Sequence, residues 1–191
     1  MSVYPNKQTL RKAWLRDRRA LDQRQWQQLS QRLCAQIQDL PQYQQARTIL
    51  AYSSCHQEPD LSALIQDHRK IWGLPRCVGQ NLVWHRFDPA HDRLQSGRYG
   101  ILEPAAAWPK LDAEQIDLIL VPCVGADRQG YRLGYGGGFY DRLLQDPKWA
   151  RISTIGICFA AMLVDQLPHD SWDQPLQGIC TEFGAVDITI T

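Results

Sequence analysis

Five glycines fall within nine residues, at 130, 134, 136, 137 and 138. They lie between the clearest strand of the chain, Ile116-Asp-Leu-Ile-Leu-Val121 ended by Pro122, and a helical pattern that starts within Gly136–Tyr140 and runs through Leu144. Asp127-Arg-Gln-Gly130 is a turn by composition. Glycines in such a place let the backbone turn sharply and let its N–H groups approach an anion without Cβ interference. A helix beginning there points its N-terminus the same way. The pattern is neither Gly-Lys-Ser/Thr nor G-x-G-x-x-G in register, so it specifies a phosphate cradle of neither common kind. Arg132 on one side can neutralise phosphate charge, and Asp141 on the other is a natural Mg²⁺ ligand.

The flanks set the fold class. A helix is expected from about Lys7 to Ala20, with Leu10, Ala13 and Trp14 inward. Trp26, Leu29, Leu33, Ile37 and Leu40 form one stripe of a second helix, opened by an Asp22/Gln25 capping box and ended by Pro41. Ten of the 23 residues from 23 to 45 are Gln, yet the apolar period persists through them, so the tract is folded. Thr48–Tyr52 reads as a buried strand, and Asp60 caps a short helix through Leu61, Leu64 and Ile65. Lys70–Leu74 is a short strand, Val78–Phe87 another with a bend at Gly79, and Ser153–Ile157, Gly178–Thr181 and Val186–Thr189 complete the set. Strands alternating with helices predict an α/β fold with a mainly parallel sheet. The stretch from Asp88 to Ala113 holds Pro89, Gly97, Gly100, Pro104 and Pro109, and a loop of that length in a compact domain points to function.

Composition narrows the function. With 191 residues, 44% hydrophobic and 21% charged, the chain reads as one domain over 1–191 with a core that needs no disulfides. No apolar run approaches the roughly 20 residues of a membrane span. The net charge of +1 does not suit a protein that coats nucleic acid. Residues 1–40 are the basic part, with Lys7, Arg11, Lys12, Arg16, Arg18, Arg19, Arg24 and Arg32 against Asp17, Asp22 and Asp39. Most of these charges are expected on a solvated helix face. Cys34, Cys55, Cys77, Cys123, Cys158 and Cys180 include no C-x-x-C pair and read as buried free thiols of a reducing compartment. The first residues lack a secretory apolar stretch, so the expected location is the cytoplasm. None of the five histidines is spaced as a metal pair.

Arg132-Leu-Gly-Tyr-Gly-Gly-Gly-Phe-Tyr-Asp141 resembles the glycine-loop signature of the 5-formyltetrahydrofolate cyclo-ligases, also called 5,10-methenyltetrahydrofolate synthetases. The similarity extends along nearly the whole chain, through Lys7 and Arg11, Tyr43 and Ala46, Glu58, Gly100-Ile-Leu-Glu-Pro104, Asp117–Pro122, Leu167-Pro168, Asp173 and Thr181-Glu182. It departs where some members carry a basic residue in the loop and this chain has Tyr135 and Gly137, which shifts phosphate neutralisation to Arg132, Lys7 and Arg11.

The resemblance implies a three-layer α/β/α sandwich of the type shared by sugar-phosphate isomerases and CoA transferases. It implies ATP- and Mg²⁺-dependent ring closure of 5-formyltetrahydrofolate by a monomer, with no nucleic acid or membrane partner. On it, Lys7, Arg11, Arg132, Gly134, Gly136, Gly137, Gly138, Phe139, Tyr140 and Asp141 surround ATP, with Arg132 and Lys7 catalytic. Ser53, Glu58, Tyr99, Tyr135 and Phe139 lie on the folate side, and Asp141 and Asp173 hold the metal. Two other readings stand beside this one. A phosphosugar isomerase could use the same loop without ATP hydrolysis. A basic N-terminal helix that bound RNA would show affinity falling steeply with salt.

Overall fold

The computed structural model describes residues 6–188. Helices α1 (Lys7–Arg19), α2 (Gln23–Gln38) and α3 (Pro41–Gln45) lead into strand β1 (Thr48–Leu50), helix α4 (Ser62–Ile65) and strands β2 (Ile71–Val78) and β3 (Asn81–Phe87). The middle of the chain supplies β4 (Gln95–Ser96), β5 (Leu102–Glu103), β6 (Leu118–Pro122), β7 (Gly125–Asp127) and β8 (Arg132–Leu133). Helices α5 (Phe139–Gln145) and α6 (Pro147–Ala150) precede β9 (Ser153–Ile157), β10 (Leu163–Val164), β11 (Gly178–Thr181) and β12 (Gly184–Asp187).

The main sheet has the order β12-β11-β9-β6-β1-β2-β3. Its five inner strands are parallel, and β12 and β3 close the two edges antiparallel. Both faces are covered. Leu118 and Leu120 pack with Trp14, Leu33, Ile37 and Leu64 on the α1–α4 side. Ile119 and Val121 pack with Leu144 and Ile152, beside Tyr140 and Trp149 of α5 and α6. A sheet wrapped this way needs apolar residues at consecutive positions, which is why β6 reads as a continuous run. The expected three-layer sandwich is the observed one. Among the described residues no helix is long and apolar enough to cross a membrane.

Local chemistry explains the elements. The Asp22 side chain accepts from the Gln25 N–H while the Gln25 side chain accepts from the Asp22 N–H, so the capping box forms as read. Pro41 begins a further short helix at its N1 position, where a missing N–H costs nothing, rather than only ending α2. The strand expected over 70–74 continues through Pro75 to Val78 and turns at Gly79-Gln80 into β3. Proline is tolerated there because the partner β1 has already ended, its last pair being Leu50 with Gly73. The final strand spans Gly184–Asp187, two residues earlier than expected, and Thr189 lies outside the described residues. The 88–113 stretch is built from the β4–β5 hairpin and a 3₁₀ turn at Arg98–Gly100.

From the centre of the sheet the chain winds outward in both directions, β1 to β2 on one side and β6 to β9 on the other. Adjacent strands β1 and β6 therefore send their following loops apart and leave a crevice at their C-terminal ends.

Candidate active site

A cleft of about 900 Å³ occupies that crevice. Tyr52 and Ser53, just past β1, and Pro122, the last residue of β6, form its floor. All fifteen residues singled out in the sequence line it: Lys7, Arg11, Ser53, Glu58, Tyr99, Arg132, Gly134, Tyr135, Gly136, Gly137, Gly138, Phe139, Tyr140, Asp141 and Asp173. They come from α1, the loop after β1, the 88–113 stretch, the glycine loop with α5, and the segment before β11.

The glycine loop is held open from both ends. At its start, Asp127 is fully buried and accepts hydrogen bonds from the N–H groups of Gln129 and Tyr131, each at 2.9 Å, and of Leu167 at 2.8 Å. One carboxylate thus shapes the turn into β8 and fixes the segment that carries Asp170 and Asp173. In the loop itself Gly136 (φ 96°) and Gly138 (φ 64°) adopt left-handed backbone, which a side chain would strain. Among the described residues, none of the N–H groups of residues 134–138 donates a hydrogen bond. Backbone donors bare of partners and facing a cleft form an anion nest. Helix α5 is only two turns long, so these amides and the nearby cations matter more than its dipole.

Four cations stand around the nest; one of them, Arg142, donates to the Gly137 carbonyl at 2.8 Å and to the Gln80 carbonyl. Arg132 is held by its flanking groups, donating to the Gln174 carbonyl at 2.6 Å and to the Asp141 carboxylate at 2.7 Å. Arg11 donates to the Gly134 carbonyl at 2.6 Å and lies against Gly136. Lys7 bridges Asp170, at 2.6 Å, and Asp173. Burial works against the Lys7 charge, but the two carboxylates outweigh it and its pKa is raised. Lys7, Arg11, Trp14 and Arg18 follow one another at spacings of four, three and four, so they share one face of α1. Gly125 lets that helix settle close, because a Cβ there would meet the Trp14 ring at 2.3 Å.

The opposite half of the cleft is a carboxylate in an apolar setting. Glu58 is buried and accepts from the Cys55 N–H at 3.0 Å and the Cys55 thiol at 3.3 Å. Burial raises its pKa. The Arg18 charge pulls it back down, with hydrogen bonds from the Cys55 amide, the Cys55 thiol and the Tyr135 hydroxyl. The loop bearing it is strained, since His56 (φ 47°) and Gln57 (φ 57°) are consecutive left-handed residues, a cost of about 1–3 kcal/mol each that surrounding contacts must offset. Those contacts run from Arg18 to the His56 carbonyl (3.1 Å), from Gln57 to the Leu21 carbonyl (2.8 Å), and from Trp26 to the Glu58 carbonyl (2.8 Å). Tyr99, at 62% exposed, stands on the far rim with the Arg98 guanidinium 4.9 Å from its ring centre.

Several residues at or behind the cleft wall escape a reading of the sequence. Arg18 was expected among solvated charges and is instead 1% exposed; Lys12, Arg16, Arg19, Arg24 and Arg32 are exposed as expected. Its spacing from Lys7 and Arg11 was the available signal. Glu103 is also buried, accepting from the Cys77 N–H at 3.2 Å and lying 3.7 Å from Arg76. Only Cys34, Cys123, Cys158 and Cys180 are buried thiols, whereas Cys55 and Cys77 are half-buried on the cleft wall. Burial, then Glu58, pushes the Cys55 thiol up to about 12, so it is not a nucleophile near neutrality.

Fold and cleft together define a doubly wound α/β protein in which an anion nest ringed by cations faces a buried carboxylate across one crevice. The family model described as the 5-formyltetrahydrofolate cyclo-ligase family matches residues 3–182, and the chain belongs to that family. It is therefore an enzyme, a ligase of folate one-carbon metabolism. The 5-formyltetrahydrofolate cyclo-ligase of Escherichia coli K12 is 31% identical over 174 residues, covering 86% of this chain and 93% of that protein. The Haemophilus influenzae protein of the same name is 30% identical, with 80% and 84% covered. The solved structure of Aquifex aeolicus 5,10-methenyltetrahydrofolate synthetase superposes with a TM-score of 0.84 at 30% identity, covering 97% of this chain and 94% of that one.

Proposed function

We propose that this cleft converts 5-formyltetrahydrofolate to 5,10-methenyltetrahydrofolate with consumption of ATP in the presence of Mg²⁺, releasing ADP and phosphate. The observation that carries the reading is the convergence of a bare amide nest, four cations, two aspartates and the buried Glu58 on one crevice, from segments up to 166 residues apart.

The chemistry accounts for the division of the cleft. Ring closure must remove the formyl oxygen, and an amide oxygen is a poor leaving group. ATP supplies a phosphoryl group that turns this oxygen into a leaving phosphate, and N10 of the folate attacks the same carbon. The protein needs no covalent nucleophile, only alignment and charge stabilisation. The N–H groups of 134–138 and the Arg11 guanidinium cradle the phosphates. Arg132 and Lys7 balance the charge on the phosphoryl oxygens during transfer. Phe139 and Tyr140 wall the nest. Ser53, Glu58, Tyr99 and Tyr135 hold the folate, with Glu58 accepting hydrogen bonds from pterin nitrogens and Tyr99 stacking on the ring.

The metal fits the residues present. Among the described residues no cluster of three or more His, Cys, Asp or Glu forms a closed metal cage. Mg²⁺ beside a nucleotide takes only one or two carboxylates, the rest of its shell being phosphate and water. Asp141 and Asp173 supply these, each satisfied by a cation, Arg132 and Lys7 respectively, that would turn to the phosphates instead. Every group named lies on one chain, so a monomer is a sufficient catalytic unit.

The direct test is isotopic. With ¹⁸O in the formyl group, the phosphate released should carry the label. Label retained in water or in the folate product would overturn phosphorylation of the formyl oxygen.

A further inference from the structure

Helix α1 reaches past the phosphate cations. One turn beyond Trp14, Arg18 is a fully buried guanidinium behind the other half of the cleft, against the wall residues His56 and Tyr135. Among the described residues it forms no direct salt bridge. Its Nε donates to the His56 carbonyl at 3.1 Å, one Nη donates to the Tyr135 hydroxyl, and the group lies 5.6 Å from the centre of the Tyr135 ring. The other terminal nitrogen is buried with no hydrogen-bond partner among the described residues. A packing residue would not need a charge, and a buried donor left unpaired is costly to keep. His56 and Gln57 hold the strained loop that presents Glu58, and Tyr135 comes from the glycine loop.

We propose that Arg18 is the positioning residue of the folate half. It clamps the strained 55–58 loop through the His56 carbonyl, fixes the Tyr135 phenol, and supplies the counter-charge that keeps Glu58 an ionised hydrogen-bond acceptor. The inference rests on the reading that Glu58 faces the folate, and it adds a physical link between the helix that carries the phosphate cations and the pocket that reads the pterin.

The groups around Glu58 make the effect assignable. From α1 it meets Arg18, from its own loop the Cys55 thiol, and from the glycine loop Tyr135. Glu58 also bears on Tyr52 at the floor and Tyr140 on α5, with Cys123 in the sheet beyond. The thiols and phenols among them are neutral around pH 7, and among the described residues Arg18 is the positive charge that bears on Glu58, while Arg132 bears on Tyr140 and Cys123.

Two measurements test the proposal. The first follows the Glu58 side-chain carboxyl by ¹³C NMR in the unliganded protein, assigned by loss of its signal in Glu58→Gln. Arg18→Met should raise the Glu58 midpoint by about one pH unit, and Arg18→Lys, which keeps the charge, by much less. Tyr135→Phe, at a half-exposed position that folding tolerates, should raise it in the same direction. An unchanged midpoint in Arg18→Met, or equal shifts in Arg18→Met and Arg18→Lys, would overturn the counter-charge. Should Arg18→Met fail to fold, an Arg18→Lys midpoint as high as that of Tyr135→Phe overturns it equally. The second measures KM for 5-formyltetrahydrofolate from pH 6 to 8. In Arg18→Met it should rise toward acid pH by up to about tenfold more than in wild type, and in Arg18→Lys by much less, with KM for ATP unchanged in both. A rise in KM for ATP alone would overturn the assignment to the folate half. Absence of turnover in the wild type would refute the reaction and leave the NMR titration to decide the role of Arg18.

Discussion

Replacing Arg132 by Ala separates catalysis from folding. The side chain is 6% exposed and gives two short hydrogen bonds, to the Gln174 carbonyl and to Asp141. Asp141 is 24% exposed, so water reaches it once its partner is gone. A charge-assisted hydrogen bond is worth about 1.5–3 kcal/mol. With one acceptor rehydrated, the net stability loss should be about 2–3 kcal/mol. For a chain of this size that lowers Tm by roughly 4–12 °C. The catalytic loss should be larger. An arginine that balances charge in phosphoryl transfer contributes about 10³-fold or more, which is about 4 kcal/mol. Turnover is followed at the methenyltetrahydrofolate absorbance band at 25 °C and unfolding by circular dichroism on the same preparation. Arg132→Lys should fall between, because it keeps the charge but cannot span Gln174 and Asp141 together. A variant that stays folded with kcat within tenfold of wild type would refute the role assigned to Arg132.

Other perturbations reach different parts of the account. Gly136→Ala forces a side chain into left-handed backbone at about 1–2 kcal/mol and should raise KM for ATP severalfold while leaving KM for the folate alone, as steady-state kinetics will show. Asp127→Ala removes a buried carboxylate that accepts three N–H bonds and should cost about 3 kcal/mol or more by urea unfolding. Because the folded-state pKa of Glu58 lies above its ordinary 4.5, its contribution to stability is fully present below that pH and is lost as pH rises through the raised value. The Tm of wild type minus that of Glu58→Gln should therefore decline from acid to neutral pH. Cys55, with its thiol pushed up to about 12, should alkylate slowly with iodoacetamide at pH 7.5 and quickly once the protein is unfolded.

Much of this site was legible in the sequence because glycines, prolines and capping residues act locally. The glycine cluster at 134–138 announces a sharply turned loop with approachable backbone amides, and the Asp22/Gln25 box opens a helix whatever packs on it. Less legible was anything decided by a distant partner. Pro75 reads as the end of a strand, yet β2 runs through it because β1 stops at Leu50. Arg18 reads as one more basic residue of a solvated helix, yet it is buried because the loop after β1 folds over α1 and offers it the His56 carbonyl. Glu103 could not be placed from Gly100-Ile-Leu-Glu-Pro104 alone, since its partner is the Cys77 N–H on the separate strand β2. Lys7 and Asp173 were assigned to phosphate and metal; the fold shows them paired with each other, which stores both charges beside the nest.

The central claim is that one crevice holds both ATP and folate and joins their chemistry. The most direct measurement is absorbance at the methenyltetrahydrofolate band after mixing the protein with 5-formyltetrahydrofolate, ATP and Mg²⁺, with ATP or Mg²⁺ omitted in turn. The expected result is a rise that requires both. A rise that persists without ATP, or none at all with folded protein and fresh substrate, would contradict it.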